Sequence, residues 1–241
     1  IFICFTFGTI LIFIPEFFYI KDIYPAHFRA NTMFKMGYQA FIIMGIASSY
    51  VFFRLSLLKI IHKIILVPIF LIFFGFVFVY PFYSFPSYYG AGLSKTPVLD
   101  GLKWMEAAYP EDKEIVDFLN EKVLDQPVVL EAQGDSYTDF ERISSYTGLP
   151  TVAGWWVHEW LWRGSAEVVG QRIPDVLALY ESKNLEETRE LIRKYNIKYV
   201  VVSRMERDKY KNLYEEKFSV LGEKVFTSAN RFGALYQLKN N

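Results

Sequence analysis

The chain has 241 residues, and its 26 Lys and Arg residues balance 26 Asp and Glu residues. The balance hides two halves, because residues 1–96 hold 7 basic and 2 acidic residues, whereas residues 97–241 hold 19 and 24. No large basic surface favours nucleic-acid binding, and the single cysteine, Cys4, excludes an intrachain disulfide or a cysteine-based zinc site. The length suits a membrane part followed by one globular domain.

The chain opens with fourteen uncharged residues, 1–14, followed by Pro15 and Glu16. As a helix this stretch is about 21 Å long, short of a bilayer core of roughly 30 Å. It also lacks the basic first region and the cleavage site of a signal peptide. We therefore expect the C-terminal piece of a longer membrane protein, beginning within a truncated transmembrane helix.

Two complete membrane spans are predicted next. Residues 38–58 contain one charge, Arg54, near an end where it can reach the interface, and residues 64–83 contain none. Basic residues on the two sides of these spans tie in number. The density of charge in the tight basic turn at 59–63 weakly favours a cytoplasmic position for that turn. This orientation predicts a multi-pass protein of the cell membrane with an extracytoplasmic carboxyl-terminal part.

The polar loop between the truncated helix and the first full span contains several candidate binding residues. Glu16 and Asp22 could bind a metal or act as acid and base, while Arg29 and Lys35 could hold an anionic head group, with Asn31 beside them. Charged residues at a membrane boundary are also ordinary anchors. The sequence leaves a divalent metal open and identifies no cofactor.

Beyond the membrane part, residues 84–96 are rich in Gly, Ser and Pro and are predicted to form a linker. Residues 97–241 are predicted to fold as an α/β domain with a mixed sheet. The first predicted elements are a helix opened by Pro110 and a strand at 127–132. A second helix has a capping box at Asn184 and Glu187 and ends at Asn196. A strand at 199–203, parallel to the first strand, and a hairpin of 224–228 with 233–238 follow.

Residues 147–164 hold four of the five tryptophans, together with charged groups. The candidate ligand-facing residues in this stretch are Trp155, Trp156, His158, Glu159 and Arg163. The zinc-protease pattern H-E-x-x-H is excluded because Trp162 replaces the second histidine. Three alternatives stay open for the tryptophans: a domain core, a membrane-interface belt, or a platform that stacks a sugar or cation.

Carboxylates lie at the C-terminal end of the first predicted strand, where open α/β sheets tend to place ligands. These residues are Glu131, Asp135 and Asp139. A simple ion pair between Glu159 and Arg163, one helical turn apart, is the plain alternative to a binding role for those two residues. No Ser-His-Asp spacing or nucleophile elbow is present.

Several segments together resemble one family. The motifs are IPEFFYIKDIY, RANTMFKMGYQAF, LDG at 99–101, VVLEAQGDSY at 128–137, RISSYTGLPTVAGWWVHEWLWRG at 142–164 and YVVVSRMER at 199–207. They resemble the "YYY" polytopic membrane-protein family, a relative of the GT-C glycosyltransferases. The resemblance implies a many-helix membrane protein that uses a polyprenyl-phosphate-linked sugar, with its catalytic acids in a first outer loop upstream of Ile1.

Two hypotheses follow from the sequence. The first is the C-terminal part of a GT-C-like membrane glycosyltransferase, in which the polar loop contacts the lipid phosphate and the tryptophan-rich segment shapes the sugar or acceptor pocket. The alternative is a non-catalytic membrane protein, a transporter-like protein or a scaffold, with a glycan- or partner-binding outer domain. Both predict the lipid bilayer as a partner, and neither involves nucleic acid.

Overall fold

The computed structural model describes residues 1–20, 27–55, 57, 59–90 and 98–239. The chain divides into two compact units, Ile1–Thr96 and Pro97–Asn241. Three helices form the described part of the first unit: α1 (Phe2–Phe17), α2 (Ala30–Leu55) and α3 (Ile60–Tyr89). The second unit contains α4 (Lys103–Ala108), α5 (Pro110–Lys122), β1 (Val128–Leu130), α6 (Arg142–Thr147), α7 (Trp156–Arg163), α8 (Glu167–Glu181), α9 (Leu185–Tyr195), β2 (Ile197–Val202), α10 (Arg204–Lys209), α11 (Glu216–Leu221), β3 (Gly222–Thr227) and β4 (Ala234–Leu238).

Two helices of the first unit are long and apolar enough to cross a membrane. They cover Ala30–Arg54, with 25 residues, and Ile60–Tyr89, with 30 residues. No residue of α3 is buried, although the helix is rich in Phe, Ile and Val. Such a helix needs an apolar solvent, because water would leave its side chains uncompensated. The prediction of two spans is confirmed.

The helix boundaries differ from the predicted ones. Helix α2 begins at Ala30 rather than near 38, and α3 continues to Tyr89. Residues 84–89, the first part of the predicted linker, are therefore helical. The aromatic residues after position 83 keep this stretch apolar, and a helix satisfies its backbone groups internally.

Helices α1 and α2 pack closely through small side chains. Gly8 and Leu11 are buried on α1, and Ala40 and Ala47 are buried on α2. A Cβ atom added at Gly8 would lie 2.8 Å from Cγ of Met44, so the glycine is what permits this approach. Small residues at a helix contact are typical of association in lipid, where close van der Waals packing replaces hydrophobic burial.

The second unit is built on a four-stranded mixed sheet with the order β1-β2-β4-β3. Strands β1 and β2 are parallel and are joined by a crossover that contains α6 to α9, whereas β4 is antiparallel to both β2 and β3. The predicted parallel pair and the predicted hairpin are both confirmed. The predicted α/β domain with a mixed sheet is thereby the observed fold class of this unit.

Hydrophobic cores lie on both faces of the sheet because successive strand residues point in opposite directions. Val200 and Val202 of β2 belong to one core, which also contains Tyr180 of α8 and Phe218 of α11. Val201 belongs to the other core, which α5 covers with Ile115, Val116 and Leu119. The unit therefore has three layers, with helices on each side of the sheet.

The caps of α9 follow the sequence with one difference. The Asn184 side chain accepts hydrogen bonds from the backbone N–H groups of Glu186 and Glu187, and Asn196 ends the helix at φ 51°. In a capping box the Glu187 carboxylate would accept a hydrogen bond from the Asn184 N–H. Here the Ser182 hydroxyl donates to Glu187 and accepts from the Asn184 N–H instead. The predicted N-cap and C-cap are correct, and the reciprocal half of the capping box is wrong, because Ser182 competes for both partners.

Both outer strands of the sheet have protected edges. The Val129 N–H of β1 donates to the Pro150 carbonyl at 2.8 Å, and Val129 forms a parallel bridge with Thr151. Strand β3 is irregular between Lys224 and Phe226. The bridge at Thr151 also fixes the start of the tryptophan-rich segment beside β1.

Candidate functional site

The tryptophan-rich segment forms a short surface helix, α7. The helix covers Trp156–Arg163, and Gly164 ends it in a left-handed conformation at φ 71°. None of its eight residues is buried, even though three are tryptophans. The interpretation of all these tryptophans as domain core is therefore wrong, because α7 packs on the unit with one side only.

One face of α7 borders a cavity of about 570 Å³, which we name the α7 cleft. His158, Glu159 and Trp162 contribute from the helix, since Trp162 is four positions from His158 and three from Glu159, spacings that place side chains on one side of a helix. Glu141, Ser144 and Ser145, from the start of α6, form the facing wall. Gly154, Trp155 and Arg163 complete the lining, so four of the five predicted candidates of this segment meet at one cleft.

The imidazole of His158 is held by aromatic rings and by one hydroxyl. Its Nδ1 lies 2.6 Å from Oγ of Ser136. Its ring centroid lies 5.4 Å from that of Trp155 and 5.1 Å from that of Tyr137. Within the described part of the chain Nε2 has no hydrogen-bond partner, so the ring keeps one nitrogen available to a ligand.

Glu159 and Arg163 form the ion pair that their spacing predicts, with 2.5 Å between Oε2 and Nε. Gly154 lies against the same carboxylate, because a Cβ added there would be 3.1 Å from Oε1 of Glu159. Both charged groups are partly exposed, and such a pair contributes only a few tenths of a kcal/mol. The charges are therefore available to exchange partners when a polar ligand enters.

A second cavity, of about 790 Å³, lies where the parallel strands end, and we name it the strand-end cavity. Gln133, Gly134 and Asp135 follow β1 into its wall, and Arg204 and Lys209 belong to α10, directly after β2. Trp156 borders this cavity, and its indole N–H donates to the Asp135 carboxylate. The structure therefore separates Trp156 from the other candidate residues of the segment.

A buried ion pair joins α5 to α6. Nε of Arg142 lies 2.8 Å from Oδ2 of Asp112, and its Nη2 also donates to the Ser203 hydroxyl. Glu206 accepts from the N–H groups of Ser203 and Ala132. Burial raises the pKa of Asp112 to about 6 despite the attraction of Arg142. Asp112 lies in the first turn of α5.

Two further carboxyl groups hold the loop between β1 and α6. Glu131 accepts from the N–H groups of Ile143 and Ser144, at 2.8 and 3.0 Å, which caps the start of α6. Glu141 accepts from the Gly134 N–H at 2.6 Å. Burial raises the pKa of Glu131 to about 7 and that of Glu141 to about 9. Sequence reasoning missed Glu141, which precedes the short polar helix α6.

The remaining strand-end carboxylates have structural partners. Asp139 accepts from the Tyr109 hydroxyl at 2.8 Å, and Asp135 accepts from the Trp156 indole. Neither belongs to a metal site, since no group of three or more His, Cys, Asp or Glu side chains in the described ranges is arranged to hold an ion.

In the first unit, two candidates of the polar loop pair with each other. Nη1 of Arg29 lies 2.5 Å from Oε2 of Glu16, and both side chains are partly exposed. Asn31 and Lys35 are exposed and lie one turn apart on α2. Asp22 falls outside the described residues. Arg29 also lines a small cavity of about 280 Å³ with His27 and Met33.

A family model and a solved structure are similar to parts of this chain. A family model described as an uncharacterized membrane protein (DUF2298) matches residues 1–44. No curated protein matches. Among solved structures, the C-terminal globular domain of the oligosaccharyltransferase from Archaeoglobus fulgidus is similar, with 12% identity and a TM-score of 0.33. That match covers 53% of this chain and 97% of the other.

The family match and the two helices of spanning length define the class: the chain is a membrane protein with helices suited to a lipid bilayer. The matched family is a membrane-protein family, as the sequence resemblance implies. The "YYY" family name and the relation to GT-C enzymes stay predictions.

Proposed function

We propose that this chain is part of a GT-C-like membrane glycosyltransferase that uses a polyprenyl-phosphate-linked sugar, and that the α7 cleft binds the sugar or its acceptor. The α7 cleft is the observation that carries the proposal. Sugars present apolar faces that stack on indole rings and hydroxyls that bond to polar side chains, and the cleft offers Trp155 and Trp162 beside His158, Glu159 and Arg163. Its volume lies in the roughly 300–1,000 Å³ range of small-molecule sites.

The proposed arrangement has a membrane domain over 1–83, a linker over 84–96 and an extracytoplasmic domain over 97–241. The tight basic turn at 59–63 supports this orientation, because short loops rich in Lys and Arg favour the cytoplasmic side. Because α3 continues to Tyr89, residues 84–89 of this proposed linker belong to the helix.

We assign Arg29, which directly precedes α2, and Lys35, which lies on α2, to the lipid phosphate. A leaving phosphate develops negative charge, which a nearby cation stabilises. Arg29 is paired with Glu16, so donor binding would exchange the carboxylate for the phosphate. Asn31, Asp22 and Glu16 complete the proposed binding set. All of these residues are given binding roles rather than catalytic ones.

The test uses the full-length protein in lipid nanodiscs with a polyprenyl-phosphate sugar donor and a glycan acceptor. Trp162→Ala should weaken sugar or acceptor binding by about 2- to 12-fold, since one aromatic contact contributes about 0.5–1.5 kcal/mol. Trp162 is 85% exposed, so its removal leaves the fold intact. The matched control is Leu124→Ala, which removes another exposed apolar side chain away from the cleft and should change nothing. Equal behaviour of both variants would refute the assignment of the cleft.

The cleft also supports a non-catalytic alternative, a membrane protein whose outer domain only binds glycan. The same nanodiscs separate the two. Glycan binding that depends on Trp162, without transfer from any lipid-linked donor to any acceptor, favours the alternative. Transfer that is lost in Arg29→Ala favours the enzyme.

A further inference from the structure

The strand-end cavity contains a cation without an ion partner. The Lys209 ammonium lies 4.3 Å from the centroid of the Phe140 ring and 5.8 Å from that of Tyr210. No carboxylate among the described residues forms an ion pair with it. Burial lowers the pKa of Lys209, and the more distant charges of Glu141, Asp135 and Glu206 only partly oppose this effect.

The neighbouring cations differ from Lys209 because each has a partner. Arg204, which lines the same cavity, pairs with the buried Glu111 at 3.0 Å. Arg207, two residues before Lys209, pairs with Glu215 at 2.8 Å. An ammonium held partly out of water without an anion is electrostatically incomplete, and a bound anion would lower its free energy.

A second incomplete group lines the cavity. Gln133 is only 7% exposed, and its Oε1 is buried without a hydrogen-bond partner in the described part of the chain. A buried acceptor of this kind costs about 1–3 kcal/mol unless a donor reaches it. A ligand hydroxyl in the cavity is such a donor.

The rest of the wall is aromatic and apolar. Tyr109, Phe140 and Trp156 contribute rings, and Ile173 and Met205 contribute apolar side chains. The two carboxylates of the wall, Asp135 and Asp208, are exposed at its rim. Water screens their repulsion of an anion more strongly than it screens the attraction of the partly buried ammonium.

From these contacts we infer that the strand-end cavity is a second ligand site, which binds a sugar ring carrying an anionic group, with the anion on Lys209, a ring hydroxyl on Gln133 and the ring face on the aromatic wall. The anion is a carboxylate, as in a uronic acid, or a phosphate. This inference rests on the proposed function, which makes the ligand a sugar. It deepens that function, because the α7 cleft would bind one sugar unit of the glycan and the strand-end cavity would bind a second, acidic unit.

The experiment is a calorimetric titration of the full-length protein in nanodiscs with glucuronate, glucose 6-phosphate, glucose and inorganic phosphate. We expect at least one anionic sugar to bind about tenfold more tightly than glucose, and Lys209→Met to remove that preference. Lys209→Arg, which keeps the charge, should retain most of it. Lys211→Met, an exposed lysine two residues further along, is the matched control and should behave as the unmodified protein.

The outcomes separate this inference from the proposed function. A preference for glucuronate or for glucose 6-phosphate that only Lys209→Met removes supports the site and identifies its anion, whether or not the protein transfers sugar. Equal binding of glucose and both anionic sugars overturns the site, while leaving the Trp162-dependent cleft untouched. Inorganic phosphate binding as tightly as either anionic sugar also overturns it, because the aromatic wall would then contribute nothing.

Discussion

The two units use the same apolar residue types in opposite ways. Phe76 of α3 is 75% exposed, whereas Phe218 of α11 is fully buried in the core beside the sheet. Ion pairs follow the same division, since the Glu16–Arg29 pair of the first unit is partly exposed and the Asp112–Arg142 pair of the second unit is buried. The surroundings decide this difference: lipid replaces the core for the first unit, and the second unit encloses polar groups that its loops need. Stability should therefore respond to different changes in each unit.

The largest effect is expected from Arg142→Met. The substitution leaves Asp112 buried without its cation and should lower the free energy of unfolding by about 3–5 kcal/mol. All five tryptophans lie between positions 104 and 162, so their fluorescence during denaturation of the full-length protein in detergent reports on the second unit alone. Lys103→Met removes an exposed pair with Glu106 and should cost less than about 0.5 kcal/mol. Similar losses in the two variants would show that the buried pair is not special.

The next effect is a dependence of stability on pH that Glu141→Gln reduces. The folded state holds the Glu141 proton up to a pKa of about 9, whereas an unfolded glutamate releases it near 4.5. Stability therefore falls as pH rises between these values, by up to about 1.4 kcal/mol per pH unit. Over pH 6 to 8, Glu141→Gln should remove roughly 2 kcal/mol of that fall, measured by the same fluorescence.

The difference between the variant and the unmodified protein isolates Glu141, because other shifted groups titrate in both. Burial lowers the pKa of Lys217 to about 8, which acts in the opposite direction at the upper end of this range. Glu216→Gln, at an exposed carboxylate, should leave the pH profile unchanged. A profile for Glu141→Gln that runs parallel to the original would contradict the prediction.

The smallest effect concerns the first unit, where small residues set the helix contact. Gly8→Leu should push against the Met44 side chain of α2 and cost about 1 kcal/mol, the lower end for an overpacked contact, because that flexible side chain can move. The measurement is thermal loss of helical circular dichroism in detergent. Gly45→Leu introduces the same side chain in α2, where nothing lies within 4 Å of the added Cβ. This variant should have the same melting temperature as the unmodified protein. An unchanged melting temperature for Gly8→Leu would show that the contact does not limit stability.

Local patterns in the sequence were sufficient for much of the fold. The strand predicted at 199–203 is β2 (Ile197–Val202), and the predicted hairpin is β3 with β4. Asn184 and Asn196 mark both ends of α9 because their side-chain and backbone preferences act within a few residues. The apolar spans were predictable for the same reason, apart from their ends.

The candidate site was predictable only where its residues are neighbours in sequence. Trp155, His158, Glu159 and Arg163 lie within nine positions, so a single helix brings them to the α7 cleft. The strand-end cavity collects residues from Tyr109 to Lys209, which only the parallel pairing of β1 and β2 brings together. Asp112 likewise meets a partner thirty positions away, a distance over which no local pattern extends.

The bridge between Val129 and Thr151 has a consequence for how the protein behaves at high concentration. Strand β1 would otherwise offer unpaired amides to the strand of another molecule, which is the usual starting point for intermolecular β-association. Thr151 occupies that position, and the irregular β3 carries the exposed charges of Glu223 and Lys224 on the far side. A sheet closed in this way resists strand exchange between copies, which matters for a protein crowded into the two dimensions of a membrane.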